Sequence, residues 1–208
     1  MLVLHYTGMP TAAAALARLC DPAAEVSAHY LIDEDGSVHA LVDEERRAWH
    51  AGVSFWRGQG DINSRSIGIE LVNPGHEFGY RPFPVAQMAA LAELATAILA
   101  RHPIPPRNVV GHADIAPRRK EDPGELFDWA WLAGLGIGLW PAAPLPGSEA
   151  EVAAMLSAWG YETADPSAAL RAFQRHFRPS RCDGRADDET VGLLTALLSI
   201  ANKDVRIS

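Results

Sequence analysis

The run GHADIAPRRKEDPG, residues 111–124, places His112, Lys120 and Asp122 in a segment that two prolines and two glycines interrupt. Because proline removes a backbone donor and both residue types break regular structure, the run is expected to be neither a helix nor a central strand. Its polar side chains are therefore either solvated loop residues or members of a site. Histidine and aspartate are common metal ligands, and lysine can stabilise a developing negative charge.

A second histidine could join this run. His5 lies in the apolar stretch LVLHYT, residues 2–7, which is typical of a buried strand and places His5 on the face opposite Leu4. A catalytic zinc site needs three protein ligands and one open position for water, and His5, His112 and Asp122 could supply such a set. The spacing between His112 and Asp122 is not diagnostic in the way that paired CxxC motifs are, so the metal site is a hypothesis.

A carboxylate lies in the middle of another strand. In residues 67–72, Ile67, Ile69 and Leu71 alternate with Glu70, which places Glu70 on the face away from the large aliphatic side chains. Glu70 would then lie opposite the ligands as the group that handles protons, with Lys120 beside the developing oxyanion. The alternative is that Glu70 and Lys120 form a plain buried salt bridge.

The remaining elements indicate an α/β unit followed by helices. A hairpin is expected over 26–42 around the turn dipeptide Asp35-Gly36, and a long glycine-containing loop over 50–63. Further elements are a helix over 85–101, a strand at 109–110 and a helix over 124–132. Residues 134–147 are rich in proline and glycine and read as a linker, which leads to helices over 149–159, 165–177 and 187–202. We therefore expect two units, residues 1–147 and 148–208.

Composition excludes several classes of function. Lys and Arg number 18 and Asp and Glu 26, a net charge of -8, which argues against a nucleic acid partner. No apolar run reaches the roughly 18 residues of a membrane span. Cys20 and Cys182 are too few and too far apart for a disulfide framework. Met1 is followed by a strand and not by a secretory leader, which favours the cytoplasm for the chain as it stands, with the cell envelope as the alternative if residues precede Met1.

Five separated segments, in order, resemble one enzyme family. LVLHYT, SAHYLIDEDG, AWHAG, NSRSIGIELVN and GHADIAPRRKEDPG, spread over about residues 1–140, are similar to the zinc-dependent N-acetylmuramoyl-L-alanine amidases of the type 2 amidase and peptidoglycan-recognition superfamily. The helical tail also resembles a known unit. VAAMLSAWGYE, ALRAFQRHFRP and DGRADDETVGLL look like the three-helix peptidoglycan-binding domain of bacterial wall hydrolases.

The resemblance implies a fold and a set of roles. The fold would be a central mixed sheet flanked by helices, with a small all-α C-terminal domain. One Zn²⁺ per chain would be bound by His5, His112 and Asp122, with Glu70 and Lys120 as the catalytic pair. One branch of the superfamily carries a catalytic tyrosine where this chain has Ala28, so the variant that uses Glu70 is favoured. His50 would lie along the substrate groove. Apart from the resemblance, Asn63 either hydrogen-bonds the substrate or shapes the loop before the strand.

The implied reaction is hydrolysis of the amide between N-acetylmuramic acid and L-alanine, in peptidoglycan or in anhydro-muropeptides, by a monomer. Two alternatives stay open at the level of sequence. A chain of this fold could bind stem peptides without cutting them, or it could be a zinc peptidase acting within the stem peptide. Cleavage products would distinguish the three.

Overall fold

The computed structural model describes residues 1–204, with side chains described through residue 201; the last residues of the expected second unit, 205–208, lie outside the described residues. Five strands form one sheet: β1 Leu2–Tyr6, β2 Tyr30–Ile32, β3 Val38–Ala40, β4 Ile67–Leu71 and β5 Val109–Gly111. The helices of the first part of the chain are α1 Ala12–Leu19, α2 Gly75–Phe78, α3 Val85–Arg101, α4 His112–Ile115 and α5 Trp129–Gly134. Three more follow: α6 Val152–Trp159, α7 Pro166–Phe177 and α8 Asp188–Asp204.

The sheet has the order β3-β2-β4-β1-β5. β1 runs parallel to β4 and β5, β2 runs parallel to β4, and only β3 is antiparallel to its neighbour β2. The mixed sheet flanked by helices confirms the expected fold class. Parallel pairing places the carboxyl ends of β1, β4 and β5 at the same edge, where ligands and substrates commonly bind in α/β proteins.

Alternation along the central strands separates an apolar face from a functional one. Leu2 and Leu4 of β1 pack in one apolar cluster with Ile69 of β4 and with Leu91 and Ile98 of α3. The intervening side chains of β1 and β4 point to the other face, as the period of two predicts. That face carries His5 and Glu70, which are paired in register on the two neighbouring strands.

The three C-terminal helices pack on the rest of the chain through a shared core. Leu156, Trp159 and Phe173 belong to the same apolar cluster as Val110 of β5 and Ile115 of α4. The segment that precedes these helices is largely exposed. Among residues 1–204, no helix combines the length and the apolar character that crossing a bilayer requires.

Two local predictions are wrong. The helix expected over 124–132 begins only at Trp129, after the Asp128 side chain accepts a hydrogen bond from the Trp131 N–H. Gly124 has φ +86° and lies in a turn, so the chain cannot start a right-handed helix there. The run 111–124 was expected to contain no helix, but α4 forms one helical turn between Gly111 and Ala116.

Candidate active site

Three strand ends bring the expected site residues together. His5 is one residue from the end of β1, and its register partner on β4 is Glu70. β5 pairs with the other side of β1 and ends at Gly111, so His112 follows at the same edge of the sheet. Asp122 returns to this point because the Ala113 N–H donates a hydrogen bond to the Asp122 carbonyl at 2.9 Å.

His5, His112 and Asp122 form a compact triangle of ligand atoms. The His5 Nδ1 atom is 3.0 Å from His112 Nδ1 and 3.0 Å from Asp122 Oδ2, and His112 Nδ1 is 3.1 Å from the same oxygen. All three residues are buried, with exposed fractions of 1%, 4% and 6%. Ligand atoms about 2.0–2.2 Å from a tetrahedral ion lie about 3.3 Å apart, so the triangle is close to the size that zinc requires. The three form a group able to hold a metal ion.

Hydrogen bonds around the ligands determine the tautomer of His5. The Ser66 hydroxyl donates its one proton to the Ile62 carbonyl at 2.6 Å, so it can only accept from His50 Nε2, 3.3 Å away. His50 Nδ1 is then unprotonated and accepts from the Nε2–H of His5 at 3.0 Å. His5 Nδ1 is left with a free lone pair that points into the triangle.

The tautomer of His112 follows in the same way. Its Nε2–H donates to the Ala51 carbonyl at 3.1 Å, so in the neutral ring Nδ1 carries the lone pair. Two imidazole lone pairs and a carboxylate oxygen therefore converge without a proton between the two nitrogens. Such a set repels itself unless a cation lies among the three atoms. Hydrogen bonds to the ring nitrogen that faces away from the metal, such as those from His5 to His50 and from His112 to Ala51, hold histidine ligands in place. The donor set thus fits a metal ion.

Burial sets the protonation states of these groups. Burial, with a further contribution from the neighbouring His112, lowers the pKa of His5 to about 4. Burial and the nearby His5 also lower the pKa of His50 well below its ordinary value. Burial would raise the pKa of Asp122, but His112 and His5 outweigh it and hold that pKa below the usual range. At neutral pH the His5 and His50 rings are therefore neutral and Asp122 is a carboxylate.

Glu70 and Lys120 line the cleft above the triangle. The cleft has a volume of about 540 Å³, and its wall includes Glu70, Lys120, His50 and Trp49. Among the described residues, no group hydrogen-bonds the buried Glu70 Oε2 atom. Burial raises the pKa of Glu70 well above the ordinary value, the Asp122 carboxylate raises it further, and Lys120 opposes the shift. An unpartnered buried carboxyl of this kind in a cleft is typical of a group that exchanges protons with a ligand.

Asn63 supports the turn that carries His50. The Asn63 Oδ1 atom accepts hydrogen bonds from the backbone N–H groups of His50 at 3.0 Å and of Ala51 at 2.8 Å. Arg119 holds the same turn from outside, because its guanidinium donates to the Ala51 carbonyl at 3.3 Å. His50 faces the cleft, whereas the amide oxygen of Asn63 is directed at the backbone behind it.

Several residues that shape the site carried no recognisable signal in the sequence. Ser66 determines the tautomer of His50, yet a lone serine before a strand has no pattern of its own. His176, near the end of α7, is 5% exposed, and its Nδ1 is 2.7 Å from Asp114 of α4. Asp114 accepts from the backbone N–H of Gly111 at 2.7 Å and so caps the turn at the start of α4.

Comparison with known proteins places these features in one family. Residues 1–125 match the Amidase_2 family, described as N-acetylmuramoyl-L-alanine amidase. The chain is 40% identical to the N-acetylmuramoyl-L-alanine amidase AmiD of Escherichia coli over 234 aligned positions, which cover 98% of this chain and 84% of AmiD. It is 45% identical over 110 positions to the 1,6-anhydro-N-acetylmuramyl-L-alanine amidase AmpD of Citrobacter freundii, with 53% of this chain and 57% of AmpD covered.

Solved structures agree over both parts of the chain. The structure of E. coli AmiD in complex with anhydro-N-acetylmuramic acid-L-Ala-D-γ-Glu-L-Lys superimposes with a TM-score of 0.87 and 41% identity, over 96% of this chain and 88% of AmiD. The structure of AMPDH3 from Pseudomonas aeruginosa gives a TM-score of 0.89 and 38% identity, over 97% and 92% of the two chains.

Proposed function

Because the chain belongs to the Amidase_2 family and is an N-acetylmuramoyl-L-alanine amidase that hydrolyses the amide between N-acetylmuramic acid and L-alanine, we propose that His5, His112 and Asp122 hold one Zn²⁺ ion that serves this reaction. The observation that carries the proposal is the triangle of ligand atoms with sides of 3.0, 3.0 and 3.1 Å, whose lone pairs all face inwards. Two nitrogens and one carboxylate oxygen are a ligand set that catalytic zinc sites use.

The metal would activate the carbonyl and the water, and the protein side chains would transfer the protons. When bound, zinc supplies Lewis acidity, which polarises an amide carbonyl and makes water a better nucleophile at neutral pH. Glu70, whose side chain lines the cleft, takes a proton from the attacking water and passes it to the amine of L-alanine as the C–N bond breaks. The products are the free carboxyl of the lactyl group and an intact stem peptide with a free amino terminus.

Lys120 acts on the charge that develops at the carbonyl oxygen. Its side chain lines the cleft beside Glu70 and Asp122, and it is close enough to Glu70 to oppose the rise in the Glu70 pKa. A fixed cation near a developing oxyanion stabilises the transition state more than the substrate, and the loss of one such donor lowers kcat by about 10² to 10³. We expect a loss of that size in Lys120→Met, with the exposed Arg118→Met as the matched control.

His50 contacts the metal ligand His5 directly, and Asn63 supports His50. His50 faces both the cleft and His5, so it contacts substrate on one side and orients the His5 ring on the other. Asn63 acts through the backbone of the turn that carries His50.

The substrate class follows from the relatives. AmiD is described in complex with an anhydro-muramyl peptide, and AMPDH3 in complex with anhydromuramic pentapeptide. We propose that the cleft of this chain takes muropeptides of the same class, that residues 1–147 carry the catalysis, and that residues 148–208 form a peptidoglycan-binding unit of a monomeric enzyme.

One experiment tests the metal and the bond together. The purified chain is expected to bind one equivalent of zinc and to convert an anhydro-muropeptide to anhydro-muramic acid and the intact stem peptide, as detected by mass spectrometry. His112→Ala should lose both properties, whereas His39→Ala, a change in the edge strand β3, should lose neither. Fragments of the stem peptide would identify a peptidase instead, and zinc-dependent binding without cleavage would identify a sensor.

A further inference from the structure

A buried carboxylate connects the C-terminal helices to the turn that carries His112. Asp114 is 2% exposed and lies two residues after His112, in α4. Its Oδ2 atom accepts from the Gly111 N–H at 2.7 Å and from His176 Nδ1 at 2.7 Å, and its Oδ1 atom accepts from the Tyr161 hydroxyl at 2.6 Å. The same carboxylate therefore holds the backbone just before His112 and is itself held by two side chains from the helical unit.

Both donors are rigid. Tyr161 is 1% exposed, and its ring packs edge-on against Trp56, with 5.2 Å between the ring centroids. The His176 ring stacks on Trp129 of α5 at 3.8 Å. Each donor thus has its position set by packing against the sheet unit, and neither can turn away from Asp114 without disturbing an aromatic contact.

Asp114 depends on these donors because it is buried. A buried carboxylate without hydrogen-bond partners is strongly unfavourable, so loss of a donor forces the carboxylate to move. The Asp114 carboxylate accepts a hydrogen bond from the Gly111 N–H. Movement of this carboxylate would therefore displace the backbone that carries His112. Ligand positions in a metal site must hold to within about 0.5 Å, so a small shift of this turn is enough to weaken the triangle.

A second contact ties the same helix to the other side of the ligand loop. Arg175 of α7 donates to the Glu121 carboxylate at 2.5 Å, next to Asp122, and lies 3.8 Å from a carboxylate oxygen of Glu125. Adjacent residues of one helix, Arg175 and His176, therefore contact both halves of the loop on which two of the three metal ligands lie.

We propose that Tyr161 and His176 are positioning residues for the metal ligand His112, acting through Asp114, so that the C-terminal helices complete the catalytic site as well as serving any role in wall binding. The inference rests on the proposed zinc site. It implies that the helical unit matters for cleavage of a small soluble muropeptide, a substrate for which attachment to the wall is irrelevant.

The test compares variants that remove one donor with variants that keep it. Tyr161→Phe removes only the hydroxyl, and His176→Leu removes the ring N–H at similar volume. His176→Asn restores an N–H near the Nδ1 position. Thr190→Val is the matched control, because Thr190 is a buried hydroxyl of the same unit that contacts Gln174 and Arg178 and not Asp114. Zinc affinity is measured by competition with a chelator, and kcat and KM with a soluble anhydro-muropeptide.

Substitution of a residue that hydrogen-bonds and orients a metal ligand typically lowers metal affinity or activity by about 10- to 100-fold. We expect Tyr161→Phe and His176→Leu to lower zinc affinity and kcat by about tenfold each, at the lower end of that range, with KM changed less than twofold. His176→Asn should recover most of the loss, and Thr190→Val should lower only the Tm. The inference is overturned if Tyr161→Phe and His176→Leu behave like Thr190→Val at equal Tm. A wild-type chain that takes up no zinc would overturn the zinc site and the inference together.

Discussion

Glu70 is the residue whose chemistry can be separated most cleanly from metal binding. It faces His5 across the β1–β4 pairing but is not part of the ligand triangle. Glu70→Gln keeps the shape of the side chain and removes its ability to accept a proton. We expect the variant to retain its zinc and to lose about 10² to 10⁴ in kcat, the range for a general acid-base group, as measured by metal content and by turnover of a muropeptide.

Glu77 offers a matched control for that experiment. It is a second carboxylate on the wall of the same cleft, but it is exposed and is not paired with a metal ligand. Glu77→Gln should leave kcat within a few fold of the wild type. Normal turnover in Glu70→Gln would remove Glu70 from the mechanism.

At the level of single residues, sequence reasoning located the groups that the structure brings together and missed those that hold them. Alternation placed His5 and Glu70 on one face of their strands, because the side-chain period of a strand is two. That both lie at the same register position depends on the pairing of segments 65 residues apart, which alternation does not determine. The roles of Ser66, Tyr161 and His176 depend on contacts with residues distant in sequence: His50 for Ser66, and Asp114 for Tyr161 and His176. The type of a single residue does not predict such a contact.

Among the connecting elements, the turn that contains His50 and Ala51 is held by the side-chain amide of Asn63. Asn63→Leu would leave the buried N–H groups of His50 and Ala51 without an acceptor, and each such group costs about 1–3 kcal/mol. We expect the free energy of unfolding to fall by about 2 kcal/mol or more in urea denaturation, with weaker zinc binding because His50 shifts. The neighbouring exposed Ser64→Ala should change neither. Unaltered stability with a raised KM would instead identify Asn63 as a direct substrate contact.

A carboxylate ties the loop after β3 to the end of α3. Glu44 accepts from the Tyr30 hydroxyl at 2.6 Å and from His102 Nε2 at 2.6 Å, and it pairs with Arg101. The hydrogen bonds from Arg101, more than those from Tyr30 and His102, lower the pKa of Glu44 to about 2. Since the folded pKa is below the unfolded value of about 4.3, the stabilisation is present above that value and is lost as the pH falls towards 2.

Acid unfolding of a Glu44→Gln variant checks this contribution. The variant should be less stable than the wild type at pH 7, and the difference should shrink as the pH falls from about 4.3 towards 2, where Glu44 of the folded wild type begins to take up its proton. The exposed neighbour Glu45→Gln is the control. A stability difference that stays constant from pH 7 to pH 2 would show that the effect of Glu44 is not electrostatic.

Over the whole molecule, the order of elements was predictable and their packing was not. The mixed sheet and the helical tail follow from strand and helix patterns and from the resemblance of five motifs. The proline-rich segment over 134–147 suggested independent units, since such segments usually connect them. The hydrophobic pattern of a helix predicts that the helix has an apolar face, but it does not predict which part of the molecule packs on that face. In this chain apolar side chains of α6 and α7 form one buried cluster with those of β5 and α4.

Shared packing predicts how the molecule unfolds. Trp159 and Phe173 of the helical unit lie in the same buried cluster as Val110 and Ile115 near the ligand loop, so neither part retains its core when the other opens. We expect calorimetry to show one cooperative transition, with equal calorimetric and van't Hoff enthalpies. Trp159→Ala, a large-to-small change in that cluster, should destabilise the whole transition by about 3–5 kcal/mol and leave it single. Two separate transitions, of which only the first moves in Trp159→Ala, would show that the helices fold independently of the catalytic sheet.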